Sequence, residues 1–260
     1  MFTLAMVSCK GGVGCTTLAA SLATVLTQRN YKVLTVDFDP QNTLCMHLSH
    51  AGPSEDGFVR RLAQGDAWEA AALQNADGVY FLPFGQVDET GRRRVEQMLA
   101  EQPDWLQQRI DDIDWGPESI AIIDSAKGPC VYTQQAVRAA HFALNVVLSD
   151  AASYMTIPVS ETVLEDYSRG ARHFCGSAYV INQANATRTL RKDILASLAQ
   201  QLGKRLVPCP IHQDEAVAEA LAAARCVSSY APQSQAAHDI QGLADWVLAC
   251  RQEILVSSGS

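Results

Sequence analysis

The stretch "SCKGGVGCTT", residues 8 to 17, holds side chains and backbone suited to gripping an anion. A phosphate-binding loop reads Gly, four residues, Gly, Lys, then Ser or Thr. Gly11, Gly12 and Gly14, with Val13 between them, let backbone N–H groups curl round an anion, and a helix opening near Thr16 adds its positive N-terminus. Thr16 stands where the loop hydroxyl that reaches Mg²⁺ belongs, with Thr17 behind it. Cys15 stands where the phosphate-holding lysine belongs, yet Lys10 puts a cation at the front of the loop. Other apolar runs end in polar groups. "KVLTVDFD" (32 to 39) closes on Asp37 and Asp39, "SIAIIDSA" (119 to 126) carries Asp124, and "SAYVINQ" (177 to 183) carries Asn182. Asp124 is placed as a carboxylate that holds a metal-bound water. Alone, the glycines fit a tight turn and Asp124 fits a strand-end cap. Together they point to a nucleotide site.

These groups converge only if the strands before them are parallel, because ligands of open α/β sheets sit at the strands' carboxyl ends. The patterning supplies such strands. Short apolar runs at 2–8, 32–39, 79–84, 119–126, 143–150, 177–183 and 205–209 read as buried strands. Helical periodicity falls between them, at 16–30, 92–113 with a break near Pro103, 134–142, about 158–169, 188–202, 214–224 and 234–253; residues 43–78 read as irregular and partly helical. The first strand, loop, helix and second strand predict a right-handed βαβ unit. The expected fold is one α/β domain over 1–260, doubly wound round a mostly parallel sheet of the P-loop NTPase type.

Composition narrows the function. Hydrophobic residues make up 48% of the 260, enough to cover a sheet on both faces, and the net charge is -8. An acidic surface disfavours non-specific DNA binding, which depends on neutralising phosphates. Eight cysteines without zinc-site spacing read as free thiols of a reducing compartment. The start of the chain does not read as a signal peptide, and no stretch reaches the roughly 18 apolar residues of a membrane span. The expected location is cytoplasmic.

"KGGVGxTT", "VDFDPQN", "IIDSA" and "CPIHQDEAVAEAL" together resemble the ParA/MinD class of deviant Walker ATPases, from residue 2 to about 245. "FLPFGQ" (81–86) and "IHQDEAVAEALAA" (211–223) are most similar to the cellulose-biosynthesis branch, whose members also lack the P-loop lysine. The resemblance implies ATP or ADP with Mg²⁺ as cofactors and a homodimer formed around ATP. Lys10 matches the signature lysine that reaches the partner's phosphates, and Asp39 the switch carboxylate that orients the attacking water. Asp37 and Asp124 match residues near Mg²⁺. Asn182 and the Pro210–Ile211 segment match the adenine contacts. The implied partners are cytoplasmic subunits of a cellulose synthase complex, with a small co-folding subunit left open. Membrane association would come through partners, because the last helix lacks a basic polar face.

Cys15 puts hydrolysis in question and leaves several readings open. The partner's Lys10 or the chain's own Lys127 can offset the missing charge, or Lys127 is a solvated loop residue. Cys15 is a small residue that fits the loop, or a thiol activated by the helix N-terminus. Arg191, Lys192, Lys204 and Arg205 form a DNA patch or a solvated face, and Arg92–Arg94 read as surface. The competing functions are a DNA-partitioning ATPase and a scaffold that binds no nucleotide.

Overall fold

The computed structural model describes residues 1–49, 54–185 and 189–258. Its strands are β1 (Phe2–Val7), β2 (Lys32–Phe38), β3 (Leu73–Gln74), β4 (Tyr80–Leu82), β5 (Ser119–Ser125), β6 (Phe142–Leu148) and β7 (Gly176–Asn182). They form one sheet in the order β3-β4-β2-β5-β1-β6-β7. Every pairing is parallel except β3 with β4. The helices are α1 (Cys15–Gln28), α2 (Cys45–Leu48), α3 (Phe58–Gln64), α4 (Glu89–Glu101), α5 (Trp105–Asp111), α6 (Val131–Ala139), α7 (Ala151–Ser168), α8 (Thr189–Leu202), α9 (Glu215–Ala222), α10 (Val227–Tyr230) and α11 (Gln235–Ser258).

The apolar runs are continuous because both faces of the sheet are covered. Within each strand, alternate residues serve opposite layers. Phe2, Leu4 and Met6 of β1 join Ile120 and Ile122 of β5 under α1 and α11. Ala5 and Val7 join Ala121 and Ile123 on the other face, with Phe58, Val95, Leu106 and Val137 of α3 to α6. A smaller cluster packs Val147 and Tyr179 against Ile157 and Leu198. α11 buries Ala236, Ile240, Leu243 and Val247, so the last helix packs onto the sheet as its amphipathic pattern suggests.

β1, α1 and β2 form the expected βαβ unit, with β5 lying between its two strands. Other expectations change in detail. Residues 205–209 form no strand, only a bridge of Leu206 to Tyr179, because Pro208 and Pro210 have no N–H to extend the ladder. β4 stops before Pro83 for the same reason. α7 starts well before 158 because Asp150 caps it, accepting from the Ser153 N–H at 2.7 Å, and Pro158 lies inside the helix. The break near Pro103 falls between α4 and α5. Residue 188, the expected start of α8, and residues 50–53 of the irregular stretch lie outside the described residues.

The surface reading of Arg92 and Arg93 holds. Arg92 pairs with Glu89 and Glu96, and Arg93 with Glu89, as a solvated face does. Arg205 pairs with Glu161, which removes one cation from the suggested DNA patch. The Arg191 side chain lies outside the described residues.

Candidate functional site

The loop Ser8–Gly14 leaves the carboxyl end of β1, at the switch between chain segments that run to either side of the sheet. Gly12 and Gly14 have φ of 75° and 84°, which favour glycine. Gly14 is the N-cap of α1, and no side chain caps the helix, so its first amides are left for an anion. Cys9 holds the first glycine position of the loop pattern. Its φ is not positive, so a side chain fits there.

Asn182 ends β7 and is buried. Its Nδ2 donates to the Val13 carbonyl at 2.7 Å, across 169 residues of sequence. A Cβ on Gly14 would run into that amide. Gly14→Ala therefore meets both a clash and a left-handed backbone, and should cost about 1–3 kcal/mol. Thermal unfolding of the nucleotide-free variant checks this; an unchanged Tm would contradict the clamp.

Asp37 and Asp124 face each other in register on β2 and β5, and both are buried. Asp37 commits both oxygens to the loop that follows: Oδ1 accepts from the Asp39 N–H at 3.1 Å and Oδ2 from the Leu44 N–H at 3.0 Å. Burial, then the charge of Asp124, raise its carboxyl well above the usual range. Asp124 has both oxygens buried without a hydrogen-bond partner among the described residues. Burial, helped by the charge of Asp39, pushes its carboxyl up to about 7, against the opposing pull of the neighbouring Thr16 hydroxyl and Cys15 thiol, neither of which is aligned on it as a hydrogen-bond donor. Asp39 is half-buried, and its Oδ1 accepts from the Gln41 N–H at 2.9 Å.

Cys15 is not an activated thiol. Burial and the nearby Asp124 charge push it well above the ordinary range, the opposite of what activation at a helix N-terminus requires. Lys10 Nζ pairs with Asp150 Oδ2 at 2.5 Å, in the same chain. Burial pushes Asp150 up, but Lys10 and the Ser153 amide more than offset it, and the carboxyl titrates below its usual value. Asp150 was not legible as a site residue; its N-cap spacing to Ser153 was the available signal.

Two cavities meet at Gly14 and Thr17. The first, about 300 Å³, is lined by Lys10 to Thr17, Asp39, Thr43 and Lys127. The second, about 460 Å³ and more apolar, is lined by Asn182, Gln183, Ile211, His212, Gln213 and Asp214 among others. Ile211 is thus on the wall, while Pro210 does not line it. Gln183, with φ of 51°, and Gln213 were missed by the sequence reading. A larger hollow of about 650 Å³ between α3 and α4 gathers none of the strand-end carboxylates.

No cluster of three His, Cys, Asp or Glu among the described residues would hold a metal unaided. The orphaned Asp124 beside Thr16 instead fits a cation that brings its remaining ligands with it, as one bound to phosphates does. Among the described residues, no helix is long and apolar enough to cross a membrane. All eight cysteines are unpaired.

The chain resembles known proteins over nearly its whole length. The family model described as cellulose biosynthesis protein BcsQ matches residues 1–248. The cellulose biosynthesis protein BcsQ of Escherichia coli K12 is 30% identical over 256 residues, covering 95% of this chain and 94% of that protein. Among solved structures, cobyrinic acid a,c-diamide synthase of Mycobacterium smegmatis, with bound ATP analogue and magnesium, superposes with a TM-score of 0.78 at 22% identity, covering 95% and 94% of the two chains. The septum site-determining protein MinD of Pyrococcus horikoshii, complexed with Mg-ADP, gives 0.76 at 22% identity, covering 95% of each chain. The doubly wound, mostly parallel P-loop NTPase fold of the ParA/MinD type is thereby shown.

Proposed function

Because the chain belongs to the family of the cellulose biosynthesis protein BcsQ, we propose that it is an ATP-binding, dimerising regulatory subunit of a bacterial cellulose synthesis and secretion machinery. In this reading it binds ATP·Mg²⁺ where the two cavities join, phosphates over the loop and base against Ile211 and Asn182. The orphaned carboxylate of Asp124 under the loop carries the reading. Thr16 and Asp124 would hold the metal, which supplies positive charge against the terminal phosphates. Asp37 acts one step back: it fixes the loop that presents Asp39. Asn182 holds the Val13 carbonyl, keeping the loop open to the anion.

Hydrolysis should be slow. Phosphoryl transfer depends on positioned charge, and Cys15 removes one such charge; a loss of this kind costs roughly ~3 kcal/mol, about a hundredfold in rate. The ATP would then act mainly to hold two copies together and present their joint surface to other subunits, which would bring a cytoplasmic protein to the membrane. A DNA-partitioning role has less support, given the net charge of -8 and the Arg205–Glu161 pair. Equilibrium titration with a fluorescent ATP analogue, with and without Mg²⁺, tests the reading. Saturable binding that weakens on chelation is expected, with turnover below ~1 per second. No saturable binding, or turnover above that rate, contradicts it.

A further inference from the structure

We propose that Lys127 supplies, within the same chain, the phosphate-binding charge that Cys15 removes from the loop; the proposal rests on the nucleotide reading above. Lys127 lies three residues past Asp124, in the turn that leaves β5. Its backbone is pinned beside the loop. The Gly128 N–H donates to the Ser8 carbonyl at 2.8 Å, and the Thr133 hydroxyl donates to the carbonyls of Ala126 and Gly128 at 2.9 and 2.8 Å. The side chain crosses directly over Gly11. A Cβ built on Gly11 would lie 3.3 Å from Lys127 Cδ and 3.9 Å from Nζ. A side chain at Gly11 would press on Lys127, so the glycine leaves room for Lys127 along the wall of the cavity.

Charge points the same way. The two lysines on the wall of the loop cavity are Lys10 and Lys127. Lys10 is paired with Asp150, whereas Lys127 has no ion pair among the described residues. Asp39 adds a carboxylate to the same wall, so a triphosphate entering there needs an unpaired cation within reach. Lys127 comes from a different element than the replaced lysine and crosses Gly11 alone, so it supplies binding charge without taking the loop lysine's catalytic placement, and hydrolysis stays slow.

A double-mutant cycle on affinity tests this, with protein dilute enough to stay monomeric and fluorescent ATP·Mg²⁺ and ADP·Mg²⁺ analogues as probes. Lys127→Ala should weaken ATP binding about tenfold or more, with an unchanged Tm, and Lys127→Arg should retain most of it. Cys15→Lys should change little in the wild-type background and restore affinity in the Lys127→Ala background. Equal affinity of Lys127→Ala and wild type overturns the proposal, as does an identical effect of Cys15→Lys in both backgrounds. If Cys15→Lys does not fold, the Ala and Arg variants decide alone. Absence of binding by the wild type is a separate outcome: it removes the nucleotide reading, and this proposal with it.

Discussion

Asp124→Asn unfolds at a higher temperature than the wild type at pH 8, and no longer gains nucleotide affinity from Mg²⁺. The carboxylate sits buried, unpartnered and in register with Asp37. Its folded value of about 7 lies above the ordinary 3.8. A group raised on folding contributes stability that is fully present below its unfolded value and is lost as pH rises through the folded one. The wild type therefore loses this stability between about pH 4 and 7. An amide does not titrate, so the advantage of the variant should be small at pH 5 and grow towards pH 8. Asp37 adds to the effect, because the charge of Asp124 is one cause of its own upward shift. Each kcal/mol recovered would show as about 2–4 °C in Tm for a chain of this size. Thermal melts across pH read the first half and titration with and without chelator the second. A variant less stable than wild type at pH 8, or one still responsive to Mg²⁺, would contradict the role given to Asp124.

Lys10→Ala remains a monomer in ATP·Mg²⁺ while keeping its fold. In the isolated chain Lys10 rests against Asp150 of the same chain, with side-chain exposures of 29% and 38%. Such half-exposed pairs contribute only about 0–1 kcal/mol, less than the roughly 1.5–3 kcal/mol of a charge-assisted contact to phosphate. A triphosphate presented by a second copy would therefore draw the lysine away, and the trans role needs no unfolding of the loop. In the proposed dimer, removing the side chain would remove the cross-subunit contact and, from the chain itself, only the exposed pair with Asp150. Asp150→Ser tests the holding side: serine keeps an N-cap oxygen for the Ser153 amide but frees Lys10. It should dimerise at lower ATP than wild type. Sedimentation at matched protein concentration reads both. Lys10→Ala dimerising like wild type would remove Lys10 from the interface.

Much of this site was legible before any coordinates because its parts are local. Three glycines in four positions, an aspartate pair closing an apolar run, and alternating strand and helix patterns each report a short-range constraint. The strand that failed, 205–209, and the one that shortened most, 79–84, did so at prolines. What could not be read was long-range. The Lys10–Asp150 pair spans 140 residues and the Asn182–Val13 clamp spans 169. Neither side chain advertises its partner. Asp37 illustrates the same limit in another way. Its place at the strand end was visible, but only the folded loop shows both oxygens taken by backbone amides. The two-residue β3 is too short to carry any pattern.

Light scattering of the wild type tests the central claim most directly, with one sample free of nucleotide, one in ADP·Mg²⁺ and one in ATP·Mg²⁺. The account predicts a mass near the chain's 28.2 kDa in the first two samples and twice that in the third. One mass in all three samples, whether monomer or dimer, would contradict it.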